Sequence, residues 1–103
     1  MSSYSVRMLG NNGQSTAVNA TVGSASASTL LAGPTVLVSV GSAAPIYIRF
    51  GAYTDTVTTS NGFLLAAGGS YRLSPPPNAT HIHYIRENAT DSKISLAWCD
   101  GGV

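Results

Sequence analysis

Strict alternation of apolar and polar side chains in three short stretches constrains the fold of this chain more than any other feature. The stretches are TVLVSV (35–40), PIYIRF (45–50) and KISLAW (93–98). Consecutive side chains of a β-strand point to opposite faces, so this period of two predicts strands with one face towards a core. No window shows the i, i+3, i+4, i+7 apolar spacing of an amphipathic helix. The inward residues are expected to be Val36, Val38, Val40, Ile46, Ile48, Phe50, Ile94, Leu96 and Trp98, and the outward ones include Tyr47, Arg49, Ser95, Ala97 and Cys99.

Five weaker strands are predicted between turn sequences rich in Gly, Pro, Asn and Ser. They cover residues 4–9, 17–22, 25–30, 71–73 and 80–86. The stretch SASAS (24–28) has small side chains on both faces, which favours a strand at the edge of a sheet.

Short strands separated by turns predict an all-β chain. Turns that recur roughly every 8 to 12 residues are typical of antiparallel sandwiches and barrels. We predict a single antiparallel β-sandwich, either jelly-roll or immunoglobulin-like. The sandwich is expected to span residues 14–103, and residues 1–13 to form a short extended N-terminal arm, or a first strand with its turn.

The charged fraction of the chain is low for a soluble domain. Only 9% of its residues are charged, where an ordinary domain has about 25%. Covering serine or alanine costs less side-chain entropy and desolvation than covering lysine. The composition therefore favours a chain that works inside an assembly. A secreted or extracellular β-domain, in which low charge and many hydroxyls are also common, is the competing interpretation.

The composition and the residue patterns argue against several classes of function. A net charge of +1 argues against nucleic-acid binding, because nucleic acid is held chiefly by clustered Lys and Arg side chains. No run approaches the roughly 20 apolar residues that span a bilayer. The lone cysteine, Cys99, excludes a disulfide or a cysteine-based zinc site within one chain. The first residues lack the apolar segment of a signal peptide, so synthesis in a reducing cytoplasm is expected.

Catalytic patterns are absent from the sequence as well. There is no G-x-S-x-G elbow, and AAGGSY (66–71) has glycines without the lysine of a phosphate-binding loop. Asp55 and Asp91 stand in turn sequences, where a carboxylate usually caps its own backbone. We therefore expect neither an enzyme nor a cofactor. The complete acidic inventory is Asp55, Glu87, Asp91 and Asp100.

The chemically richest stretch is NATHIHYIREN (78–88). His81 and His83 would lie on one face of a strand and could begin a zinc or nickel site, although such sites take three or four protein ligands. A symmetric trimer would bring copies of one histidine onto its axis. The alternative is a structural strand, hydrogen-bonded or in contact with a partner. Alternation mixes polar and apolar residues on both faces, which favours an interface strand.

The C-terminal third carries a resemblance to a known group of proteins. GGSYRLSPPPNATHIHYIRENATDSKISLAWCDGG (68–102) resembles the closing strands of small β-sandwich virion proteins of tailed bacteriophages. The resemblance implies a structural component of the particle, such as a cement or decoration protein on the head, with no catalytic residues. The residues that carry it are Gly69, Tyr71, Leu73, Ala79, Thr80, His81, Ile82, Ile85, Arg86, Asp100 and Gly101.

The leading hypothesis is thus a capsid cement protein that bridges capsomers, expected as a homotrimer on the capsid surface and bound to the major capsid protein or other virion subunits. A head fibre, neck or tail component is the close alternative. A carbohydrate-binding sandwich is the alternative from a different class, with Tyr47, Tyr53 and Tyr84 as possible sugar platforms. The candidate interface residues are Tyr4, Arg7, Tyr47, Arg49, His81, His83 and Arg86.

Overall fold

Residues 17–99, which the computed structural model describes, form eight β-strands and no helix. The predicted N-terminal arm (1–13), with Tyr4 and Arg7, lies outside the described residues. The strands are β1 (Ala17–Val22), β2 (Ala27–Leu30), β3 (Thr35–Val40), β4 (Ile46–Gly51), β5 (Phe63–Leu65), β6 (Ser70–Leu73), β7 (His81–Arg86) and β8 (Ser92–Cys99).

The strands form two antiparallel sheets of four that pack as a sandwich. Sheet A has the order β1-β8-β3-β6, and sheet B has the order β2-β7-β4-β5. The pairing is nested, because β1 pairs with β8, β2 with β7, β3 with β6, and β4 with β5. An immunoglobulin sandwich groups its strands differently. This nested order is the connectivity of an eight-stranded jelly roll.

The inward faces of the two sheets form one hydrophobic core. Trp98 is its largest fully buried side chain and lies between aliphatic residues of both sheets. Tyr84 also points into the core, where its hydroxyl and Thr29 Oγ1 lie 2.8 Å apart. Burying a tyrosine requires such a partner for its hydroxyl. The buried core residues are Val22, Val36, Val38, Val40, Ile46, Ile48, Leu65, Ile82, Tyr84, Ile94, Leu96 and Trp98.

The structure confirms the all-β sandwich and corrects some details. The expected inward residues of β3 and β8 are buried, and β2 is an edge strand. Strand β5 was not predicted, because its three residues FLL show no alternation. Cys99, which was predicted on the outward face of β8, is buried there, as is its cross-strand neighbour Thr35, so the alternation of exposure stops at this end of sheet A.

Candidate interaction surfaces

The two histidines of β7 have different environments, although both lie on the face of sheet B that points away from the core. His83 is only 1% exposed. Its Nε2–H donates to the backbone carbonyl of Ala52 over 2.7 Å, because a carbonyl oxygen can only accept. His81 is half-buried, and its Nδ1 lies 2.9 Å from the hydroxyl of Thr80. His83 is therefore an internal structural group rather than a surface ligand.

The segment that encloses His83 is the connection between β4 and β5, residues 52–62, which we call the covering loop. Arg49 Nη1 donates to the carbonyl of Thr56 over 2.9 Å, and the amide of Val57 donates to Ser26 Oγ over 3.0 Å. The side chain of Val57 is 1% exposed. The loop thus lies across the outer face of sheet B, and its own apolar side chain, Val57, is buried there beside Tyr47.

Local hydrogen bonds give the covering loop its shape. Asp55 accepts from the amide of Ala52 over 2.8 Å, which confirms its predicted capping role. Asn61 Oδ1 accepts from the amide of Thr58 over 2.7 Å. A side chain at Gly62 would place its Cβ 2.6 Å from that of Tyr47, closer than atoms can approach. The loop therefore requires glycine where it meets β4.

Metal binding by the β7 histidines gains no support from their surroundings. The rings of His81 and His83 have centroids 6.3 Å apart. Within residues 17–99, no group of three or more His, Cys, Asp or Glu side chains could hold a metal ion. Since zinc sites need three or four protein ligands, a single described chain does not provide one.

Among residues 18–99, the outer face of sheet A carries half-buried or exposed side chains except at Thr35 and Cys99, and we call it the open face. One row crosses all four strands, with Asn19 paired to Ser95, Ser95 to Ser39, and Ser39 to Ser70. A shallow depression of about 460 Å³ lies over three residues of this row, Asn19, Ser39 and Ser95, with Lys93 at its side. Arg72 lies on the same face of β6 as Ser70 and is exposed. The central row of the open face is therefore small, neutral and polar, with one cation on each side of it.

The edges of sheet B carry most of the exposed large apolar side chains that the structure describes. Leu30 on β2 is 64% exposed, and Phe63 and Leu64 on β5 are 67% and 53% exposed. An apolar cleft of about 390 Å³ lies beside β5, lined by Phe50, Phe63, Leu73, Pro76 and others. Tyr53, at the start of the covering loop, is 72% exposed and lies against the His81 ring.

Five of the interface candidates predicted from the sequence lie within residues 17–99. Arg49 and His83 are held by the covering loop through the hydrogen bonds given above. Tyr47 is half-buried beside Gly62. Arg86, at the end of β7, forms an ion pair with Asp91 in the connection to β8. His81 lies beside the exposed ring of Tyr53. Their roles as contacts stay predictions.

Comparison with known proteins identifies no relative. No family model matches the chain, and no curated protein and no solved structure is similar to it at a significant level. Within residues 17–99, no helix is long and apolar enough to cross a membrane. The proposals below therefore depend on the residues of this chain and on the resemblance described from its sequence.

Proposed function

We propose that this protein is a structural component of a tailed-bacteriophage particle, a cement or decoration protein that binds the assembled head. It is made in the host cytoplasm and joins the capsid surface, where it bridges neighbouring capsomers of the major capsid protein. Support comes from the resemblance in residues 68–102 and from the strand order, because eight-stranded jelly rolls are common in viral capsid proteins. The role needs no catalytic group and no cofactor.

The open face carries this proposal. Its central row, from Asn19 to Ser70, contains hydroxyl and amide groups and no charge. Docking a protein on this row desolvates no charged group and immobilises no long side chain, although Lys93 and Arg72 flank the row. Sheet B lacks such a surface, because its covering loop occupies much of the outer face. The open face is therefore the surface that we assign to the capsid shell.

The proposed mechanism is mechanical. A subunit that binds the assembled shell and not the separate capsomers stabilises the shell by mass action. Each bridge adds interface between capsomers that internal pressure or heat would separate. A subunit with a net charge of only +1 also fits a repeated lattice, since neighbouring copies repel one another only weakly.

Sedimentation with assembled shells tests the proposal. Purified protein is mixed with shells that lack it, and the amount that sediments is measured against added protein. We expect saturable binding with a fixed number of copies per shell and a higher temperature of shell disruption. A chain that never sediments with shells would contradict the proposal.

A matched pair of variants tests the open face itself. Asn19→Lys with Ser70→Lys places a charge at each end of the polar row, at two exposed positions. Thr54→Lys with Thr59→Lys adds the same charge at exposed positions of the covering loop. The first variant should lose binding at least tenfold and the second should keep it. Equal binding by both would refute the assignment of the open face.

A different position in the particle, as a head fibre, neck or tail component, predicts a different copy number. Quantifying the chain against the major capsid protein in purified particles separates these cases. A cement protein should be present in a fixed ratio to the capsomers, whereas a neck protein or a head fibre should be present in far fewer copies.

The second candidate function is carbohydrate binding, and the exposed ring of Tyr53 is the observation in its favour. Tyr84 is not available as a sugar platform, because it is buried in the core, and Tyr47 is half-buried. Tyr53 stands beside His81, with ring centroids 5.2 Å apart. Glycan-array binding that disappears in Tyr53→Ala would support this function, and an array without binding would remove it.

A further inference from the structure

The two edge strands of sheet B are exposed in a way that folded proteins usually avoid. An edge strand presents unpaired N–H and C=O groups and is normally protected by charges, proline or a covering segment. Strands β2 and β5 form the two edges of this sheet. Among the described residues, three of the four exposed large apolar side chains lie on them: Leu30, Phe63 and Leu64.

Neither edge of sheet B is protected by its sequence. Residues 8–48, which contain β2, include no Lys, Arg, Asp or Glu, and neither do residues 56–71, which contain β5. Neither strand contains proline. Of the two edge strands of sheet A, β6 carries Arg72, whereas β1 contains neither a charge nor a proline. Both edges of sheet B are thus free of the groups that keep strands apart.

Strand directions make the two edges complementary to each other. Each neighbouring pair in the order β2-β7-β4-β5 is antiparallel, so β2 and β5 run in opposite directions. If the β5 edge of one copy is placed beside the β2 edge of another in a continuous sheet, the new pair is antiparallel too. The strands also match in length, with four and three residues.

The side chains at the two edges match in their orientation. Leu30 is paired with His81, and Leu64 with Tyr47, which is itself paired with Ile85. His81 and Ile85 lie on the same face of β7, because residues an even number apart share a face. Leu30 and Leu64 therefore both project on the outer face, where neighbouring strands would bring them together.

We propose that β5 of one copy pairs with β2 of the next copy, head to tail, and that three copies close into a ring. A heterologous contact of this kind closes into a ring or extends into a filament, depending on its rotation. A second copy of the chain is the partner that the structure favours for each edge. The two edge strands match in direction and nearly in length, their exposed leucines project on the same face, and neither strand is charged. This inference deepens the proposed function and rests on it for the homotrimer.

A mixing experiment with two variants tests this pairing. Leu30→Lys blocks the β2 edge and Leu64→Lys blocks the β5 edge, both at exposed positions that the core does not use. The purified wild type should have three times the 10.5 kDa mass of one chain by native mass spectrometry and sedimentation. Each variant alone should be a monomer, and their equimolar mixture should form a dimer through its one intact pair of edges.

A lysine on the edge of sheet A serves as the control for the two variants of sheet B. Asn19→Lys adds the same charge at an exposed position on the edge of sheet A and should stay trimeric. Circular dichroism and urea titration verify that each variant is folded. A monomeric wild type would overturn the inference. Self-association of the Leu30→Lys variant would also overturn it, because that result would indicate that β5 pairs with β5 of another copy. Shell binding by a monomeric wild type would overturn the ring and leave the proposed function standing.

Discussion

Replacing His83 tests whether the chemically richest stretch of the sequence is a structural element. His83→Ala removes the donor to the Ala52 carbonyl, which keeps its hydrogen bond from the amide of Asp55. Losing one hydrogen bond of this kind costs about 0.5–1.5 kcal/mol. The vacated space adds about 24 cal/mol per Å³, so a residual cavity of roughly 50 Å³ adds about 1 kcal/mol.

The expected loss is therefore about 1.5–2.5 kcal/mol, a sizeable part of the roughly 5–15 kcal/mol that stabilises a typical domain. In a domain of this size, each 1 kcal/mol corresponds to about 4–8 °C in Tm. Urea unfolding and calorimetry measure the global effect. Hydrogen exchange measures the local one, since the amide of Val57 should exchange faster once the covering loop is less firmly held.

His81→Ala is the matched control on the same strand. His81 is half-buried, and its Nδ1 lies within hydrogen-bond distance of the adjacent Thr80 hydroxyl. Surface changes of this kind usually alter stability by about 0.5 kcal/mol or less. His83→Gln, which keeps an N–H donor, should recover part of the loss. Equal losses for the two alanine variants would refute the structural role that we assign to His83.

Three further predictions concern the sandwich itself. Ser92→Ala removes the donor of a buried 2.6 Å hydrogen bond to the Ala44 carbonyl and should cost about 1–3 kcal/mol in urea unfolding. Gly62→Ala should lower the free energy of unfolding more than Gly68→Ala in the same assay, because a Cβ at Gly62 would overlap three neighbouring atoms. A Cβ at Gly68 meets open space, so Gly68→Ala should cost only about 1–2 kcal/mol, the cost of a side chain at its φ of 74°. Trp98→Ala should cost about 3–5 kcal/mol, and a smaller loss would show that the core packs elsewhere.

The sequence predicted the strands where one face is buried throughout. Val36, Val38 and Val40 alternate with smaller or less buried residues, and this pattern is set by the core that they enter. Strand β5 could not be recognised, because an edge strand of three residues has no room for a pattern. Jelly-roll and immunoglobulin connectivity were equally compatible with the sequence, since alternation gives the face of a residue and not its neighbouring strand.

The surroundings of the candidate site residues could not be predicted for a related reason. Alternation placed His81 and His83 on one face of their strand without showing which face points away from the core, and the outer face of a strand is not always exposed. The covering loop is fixed by contacts far apart in sequence, such as that between Val57 and Ser26. No local pattern reports such contacts, and so a buried histidine was indistinguishable from a surface ligand.

The central claim is that this chain is a cement protein that binds the assembled head through the open face of sheet A. Electron cryo-microscopy of intact particles that contain it tests this most directly. We predict ordered density on the outer surface of the head, at repeated positions between capsomers, with the row from Asn19 to Ser70 turned towards the shell. Density only at the neck or tail, or with sheet B against the shell, would contradict the account.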